Sequence, residues 1–254
     1  MLIDTHTHFY DEWLLPDAEA AIARALEAGV GKMVQADVDS RERDALWALS
    51  DAHPGVLYPM LGLYPGSVDD HWEDEIERLL PYRDRGIVAI GEIGLDYHEG
   101  TQFKEQQKEA LRVQLDLAAR WDLPVNIHLR DAWEDLLAIL KEKRYLGLRG
   151  NLHCFSGSYE VFREAGRYAD LSVGIGGVIT FKKASLAETV KHIPLEKIVL
   201  ETDAPYLAPV PHRGERNESA YLPLIAAKLA EQKGITLEEV EEATTRNAEQ
   251  LFKL

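Results

Sequence analysis

Short apolar runs recur along the chain, separated by longer stretches of helical periodicity. The runs are Leu2-Ile3, Lys32-Met33-Val34, Val56 to Leu63, Ile87-Val88-Ala89-Ile90, Pro124-Val125-Asn126-Ile127, Gly150-Asn151-Leu152, Leu171-Ser172-Val173 and Ile198-Val199-Leu200, eight in all. Between them lie amphipathic stretches such as Glu19 to Ala28, Gln106 to Ala119, Trp133 to Leu140 and Tyr221 to Gln232. Strand-like runs alternating with helices argue for parallel βα units. A Rossmann-type open sheet is the competing arrangement, but no Gly-x-Gly-x-x-Gly follows the first run. The expected fold is therefore α/β, a (β/α)8 TIM barrel spanning residues 1–254 as one domain, a length close to the ~250 residues such barrels need. Leu237 to Leu254 read as one more helix, with Thr236 as N-cap and Glu239 completing a capping box. That helix is expected to close the outer layer and to carry no chemistry.

Composition narrows the class. Hydrophobic residues make up 46% and charged residues 28%, ordinary globular values. No apolar run is long enough to span a bilayer, and Met1-Leu2-Ile3-Asp4 has no basic region or apolar leader, so a cytoplasmic monomer without a membrane partner is expected. The single cysteine, Cys154, allows no intrachain disulfide and suits a reducing compartment. A net charge of −16 argues against a broad basic face for long duplex DNA. Any phosphate-bearing substrate must then be held locally, by bound cations and a few arginines.

The chemistry is positional. Leu2-Ile3 leads to His6 and His8, Val88-Ala89-Ile90 to Glu92, Val125-Asn126-Ile127 to His128, Asn151-Leu152 to His153 and Ile198-Val199-Leu200 to Asp203. In a (β/α)8 barrel the C-terminal strand ends converge on one mouth, where active sites lie. His6 and His8, two apart on a strand, point to the same face and can chelate one ion. Four histidines and two carboxylates exceed the needs of one four-coordinate zinc but suit two divalent ions, with Glu92 as the bridge. Imidazole-rich donors admit Zn, Mn, Fe, Co or Mg without choosing among them. Each residue alone has a plainer reading: a core or surface histidine, an ion-paired Glu92, or Asp203 as a helix N-cap near Pro205. It is their recurrence after five separate strand-like runs that points to a metal centre.

These residues carry a resemblance. The stretches Ile3-Asp4-Thr5-His6-Thr7-His8, Gly91-Glu92-Ile93-Gly94-Leu95-Asp96-Tyr97, Leu123 to His128 with Arg130-Asp131-Ala132, His153-Cys154-Phe155-Ser156-Gly157 and Glu201-Thr202-Asp203-Ala204-Pro205-Tyr206-Leu207 resemble the TatD family of metal-dependent deoxyribonucleases. Pro211-His212-Arg213-Gly214, Arg216-Asn217-Glu218 and Thr245-Arg246-Asn247-Ala248 extend the likeness over almost the whole chain. The resemblance implies a metallo-dependent hydrolase barrel cleaving DNA phosphodiesters from the 3′ end. In it His6, His8 and Asp203 hold one ion, His128 and His153 the second, Glu92 bridges, and Asp203 takes the proton of the attacking water. Single-stranded DNA or another phosphate-containing molecule is the implied substrate. A D-aminoacyl-tRNA deacylase, an ester hydrolase on a similar binuclear centre, is the alternative. One position departs from the family: Tyr64 stands in Gly62-Leu63-Tyr64-Pro65 where a substrate-contacting histidine is usual, keeping a hydrogen-bond donor but no cation.

Tyr64, Arg130 and Arg213 are the candidates for substrate contact, since a guanidinium matches phosphate with two parallel hydrogen bonds. Arg130 has a plainer role available, an ion pair with Asp131 or Glu134. Asp96 is expected to orient a ligand. Cys154 reads as a small buried hydrophobe and not as a nucleophile. His53, His71, His98 and His192 read as solvated, while His212 lies within reach of the mouth. Trp13, Trp72, Trp121 and Trp133 read as packing residues, although an aromatic at the mouth can stack on a base.

Overall fold

All eight strand-like runs form strands. In the computed structural model, which describes every residue except 99, 143, 144 and 146, they are β1 (Leu2–Thr7), β2 (Val30–Gln35), β3 (Leu57–Leu61), β4 (Ala89–Asp96), β5 (Val125–Arg130), β6 (Arg149–Leu152), β7 (Asp170–Ile175) and β8 (Ile198–Leu200). They pair in chain order, every pair parallel. The ring closes past the end of β8. There Asp203 N–H donates to His6 O at 2.9 Å and His8 N–H to Ala204 O at 2.8 Å, making a parallel bridge between Thr7 and Ala204. This is a TIM barrel, and the closure fixes the backbone of His6, His8 and Asp203 against one another.

Helices α1 (Ala18–Glu27), α2 (Arg43–Ala52), α3 (Trp72–Glu77), α4 (Lys104–Trp121), α5 (Trp133–Leu140), α6 (Tyr159–Ala165), α7 (Leu186–Thr189), α8 (Leu222–Lys233) and α9 (Leu237–Phe252) follow the strands. The four amphipathic stretches correspond to α1, α4, α5 and α8. Each buries a stripe spaced by three and four residues, as in Ala18, Ala21, Ile22 and Ala25 of α1. The capping box of α9 forms as expected: Glu239 N–H donates to Thr236 Oγ1 at 3.1 Å, and Thr236 N–H to the Glu239 carboxylate at 2.8 Å. Helix α9 packs Ala248 on Ile3 and Val199, and Leu251 and Phe252 on Val34, Met60 and Ala89. No helix among the described residues is long and apolar enough to cross a membrane.

Strand β4 is longer than its apolar run, because it continues through Gly91, Glu92 and Gly94 to Asp96. Gly94 has φ 148°, and a Cβ there would lie 1.9 Å from His128 O. Only glycine lets β4 approach β5 this closely, and the approach sets Gly94 opposite His128 and Asp96 opposite Arg130.

Candidate metal centre

His6 and His8, at the end of β1, turn their Nε2 atoms towards each other at 3.0 Å. Their other ring nitrogens are engaged: His6 Nδ1 lies 2.9 Å from Asn126 Oδ1, and His8 Nδ1 lies 3.0 Å from the Tyr10 hydroxyl, which itself donates to Ala36 O. Such outer partners fix ring orientation and leave Nε2 free to point inward. Glu92 lies between the histidine pairs. Its Oε2 is 3.4 Å from His6 Nε2 and 3.9 Å from His8 Nε2; its Oε1 is 2.8 Å from His128 Nδ1 and 3.8 Å from His153 Nε2. Asp203 Oδ1 lies 3.7, 3.6 and 3.6 Å from the Nε2 atoms of His6, His8 and His153. The six residues singled out from the sequence therefore share one site at the C-terminal ends of β1, β4, β5, β6 and β8.

Two further carboxylates stand behind the histidines. Asp96 Oδ2 is 2.9 Å from His128 Nε2, the orienting role expected of it. Glu201, fully buried, is 3.0 Å from His153 Nδ1 and also accepts from Cys154 N–H and Asn151 Nδ2. Asp4, equally buried, accepts from Thr202 N–H, the Thr202 hydroxyl and the Ser219 hydroxyl, tying β1 to the segment after β8. Sequence reasoning gave Glu201, Asp4, Asn126 and Tyr10 no role. All but Tyr10 lie in the same strand-end stretches as the six, which is the signal that could have marked them.

Electrostatics show a site built around positive charge. Burial alone would raise Glu92, yet the imidazoles of His6, His128 and His153 hold it well below the usual carboxylate range. Asp203 is lowered the same way, against its burial, by His153, His8 and His6. In turn, burial would lower His128 and His153, but Asp96 and Glu92 push the first up to about 9, and Glu201 and Asp203 push the second to about 10. Without a cation, protons on these rings supply the charge that the carboxylates demand. A divalent ion supplies the same charge and displaces those protons. The donor set of converging imidazole nitrogens and carboxylate oxygens thus fits metal, with His6–His8–Asp203 and His6–Glu92–His153 each grouped within 4.8 Å. Cys154 Sγ also lies within 4.8 Å of ligand atoms of His153 and Asp203. Burial pushes its thiol well above the usual range, in keeping with the rejection of a thiolate nucleophile.

A cavity of about 730 Å³ opens over the centre, lined by Glu92, His128, His153 and Asp203 below and by Tyr64, Arg130 and Tyr206 on its walls. The Tyr64 hydroxyl donates to Asp96 Oδ2 at 3.4 Å, and its ring stands edge-on to His128. Arg130 is exposed and has no ion-pair partner among the described residues; Asp131 pairs instead with His98. Arg213 does not line this cavity, its guanidinium lying over the Phe181 ring at 4.5 Å. His212 stacks on Tyr221 and pairs with Glu215. His71, His98 and His192 are exposed, and the half-buried His53 pairs with Glu19. Trp13 departs from its packing role: it is 57% exposed, because it sits on the loop after β1 and not under a helix.

Known proteins match the chain along its length. The family described as TatD related DNase matches residues 3–253. An uncharacterized metal-dependent hydrolase of Bacillus subtilis, YabD, is 38% identical over 257 residues, covering 100% of both chains. The 3′-5′ ssDNA/RNA exonuclease TatD of Pantoea ananatis is 34% identical over 248 residues, 94% of each chain. The crystal structure of YjjV, a TatD homolog from Escherichia coli K12, matches with a TM-score of 0.91 at 32% identity, covering 100% of this chain and 98% of that one. A barrel whose strand ends gather four histidines and a set of carboxylates, matched along its whole length by these proteins, belongs to the TatD family of metal-dependent hydrolases.

Proposed function

We propose that this protein is a two-metal phosphodiesterase that removes nucleotides from the 3′ end of single-stranded DNA. The observation that carries the reading is Glu92, whose two oxygens face different histidine pairs, His6 with His8 and His128 with His153. One carboxylate so placed can bridge two cations, and the name of the Pantoea ananatis relative points to the substrate. His6, His8 and Asp203 would hold one ion, His128 and His153 the other. Divalent cations held there supply Lewis acidity, making water a stronger acid and drawing charge from phosphoryl oxygens.

The chain's own residues do the rest. Asp203, ionised near neutrality, faces the cavity and accepts the proton of the attacking water. Its backbone lies in the left-handed region at φ 59°, held by the hydrogen bond to His6 O, so the carboxylate is aimed at the histidines before substrate arrives. Arg130, without an ion-pair partner among the described residues, receives the phosphate, and the Tyr64 hydroxyl, bonded to Asp96, stands beside it.

The test is product release from a single-stranded oligonucleotide with Mg, Mn, Co or Zn supplied in turn. Mononucleotides should appear with at least one metal and cease with chelator. Asp203→Asn should cut the rate by at least about 10²-fold, the usual worth of a general base, with the barrel still folded at room temperature. Absence of release with every metal overturns the reading. Deacylation of a charged tRNA with DNA left intact would replace it with ester hydrolysis on the same centre.

A further inference from the structure

We infer that Trp13 and Tyr206 form a stacking platform for the unpaired base at the strand end, so that the cleft grips its substrate by a base more than by phosphates. This rests on the nuclease reading above. The two rings come from the segments after β1 and β8 and meet at 5.9 Å between centroids, tilted by 52°. One carboxylate positions both: Asp11 Oδ1 accepts from Trp13 N–H at 2.8 Å, and Asp11 Oδ2 from the Tyr206 hydroxyl at 2.7 Å. Arg216 donates to Trp13 O at 3.1 Å, and the Asn217 amide to Tyr206 O at 2.6 Å. The loops bearing the rings are therefore braced, yet the rings stand in solvent, 57% and 43% exposed. Among the described residues Trp13 is the one exposed tryptophan. A braced aromatic offers a large contact area at small entropic cost.

The platform adjoins the chemistry. Tyr206 lines the cavity, and its ring centroid is 6.2 Å from that of His8. A base resting on Tyr206 and Trp13 leaves its neighbouring phosphate over the candidate metal centre, with Arg130 on the wall. Away from the candidate metal centre, the chain's own charge supplies little grip. Among the described residues Arg130 is the one lysine or arginine lining the cavity, whereas Asp11, Glu12 and Glu42 also line it, and the whole chain carries −16. Phosphate-driven affinity needs several cations, while stacking needs none and accepts any base. It does need a free base face, which a paired end does not offer. The substrate class is accordingly a strand whose terminal base is unpaired.

The test compares a short single strand carrying an intact 3′-terminal nucleotide with the same strand made abasic there. In the wild type, loss of the base should raise KM about tenfold, the worth of one stacked base. Trp13→Ala should raise KM on the intact strand by a similar factor, with the effect on KM exceeding that on kcat, and should no longer distinguish the two strands. Trp13→Phe should recover most of the loss. A Trp13→Ala protein that discriminates as well as the wild type overturns the platform while the nuclease reading stands. If the wild type cleaves neither strand, the nuclease reading falls and the platform is judged by binding alone. Tryptophan emission of chelator-treated protein is then titrated with the tetranucleotide d(T)4. Quenching that disappears in Trp13→Phe supports the platform; equal or absent quenching in both proteins refutes it.

Discussion

Glu201 shows how far one buried charge reaches. It brings no atom within the candidate ligand groups, yet it stands behind His153 and receives the Cys154 amide. Its carboxylate fills a space that exists because residue 174 is glycine: a Cβ there would fall 1.9 Å from Glu201 Oε2. Replacing it with glutamine keeps the size and a hydrogen-bond acceptor but removes the charge that makes His153 a better donor. Outer partners of this kind are worth about 10–100-fold in metal affinity. Glu201→Gln should therefore weaken metal binding by about tenfold in a competitive chelator titration, and Gly174→Ala, which displaces the carboxylate, should do at least as much. Unchanged affinity in both would remove Glu201 from the centre. The contrast with His6, His8 and Asp203 explains what the sequence discloses at this scale. Imidazoles and acids after apolar runs are conspicuous because metal chemistry needs those donors. Glu201 was hidden by its partner, since its role exists only once β6 and β8 bring His153 beside it. Trp13 departs from the packing expectation for a related reason: an isolated tryptophan gives no hint whether a helix will cover it.

At the scale of elements, period and length decide what is legible. A parallel strand buried on both faces reads as an apolar run, and all eight strands show one, although Lys32, Asn126, Asn151 and Ser172 interrupt four of them. The short helices α3, α6 and α7, of six, seven and four residues, carry too few turns to register a stripe. The extension of β4 was obscured because Gly91 and Gly94 look like breakers until the closeness of β5 is known. The start of α9 was legible to the residue, because a capping box is a local pattern satisfied within one turn. That locality makes its energy predictable. Thr236→Ala removes the acceptor of the Glu239 N–H while leaving the helix's contacts with β1 and β8 in place. It should cost about 1 kcal/mol in urea unfolding, with an unchanged slope on denaturant. A loss beyond ~2 kcal/mol would mean that the cap also holds α9 against the barrel.

Across the whole molecule, the candidate centre and the closure of the barrel are one structure. The residues placed to hold metal come from β1, β4, β5, β6 and the segment after β8. That last segment also supplies the Asp203–His6 and His8–Ala204 hydrogen bonds that join the ends of the sheet. Asp4 reinforces the joint through Thr202 and Ser219. In the metal-free state the centre beside this seam must hold two protonated rings against other imidazoles, with the His6 and His153 rings stacked at 3.4 Å. An ion binding the native arrangement and not the unfolded chain stabilises by mass action, about 2.7 kcal/mol at a hundredfold excess over Kd. For a chain of this length that corresponds to a rise of ~5–10 °C in Tm. Chelator-treated protein should accordingly melt lower by about that amount in differential scanning calorimetry and recover when Zn or Mn is returned. A protein with both Glu92→Gln and Asp203→Asn should gain little from either metal. Equal melting of the treated and reloaded wild type would mean that no cation joins the seam, and the convergence of imidazoles there would need another cause.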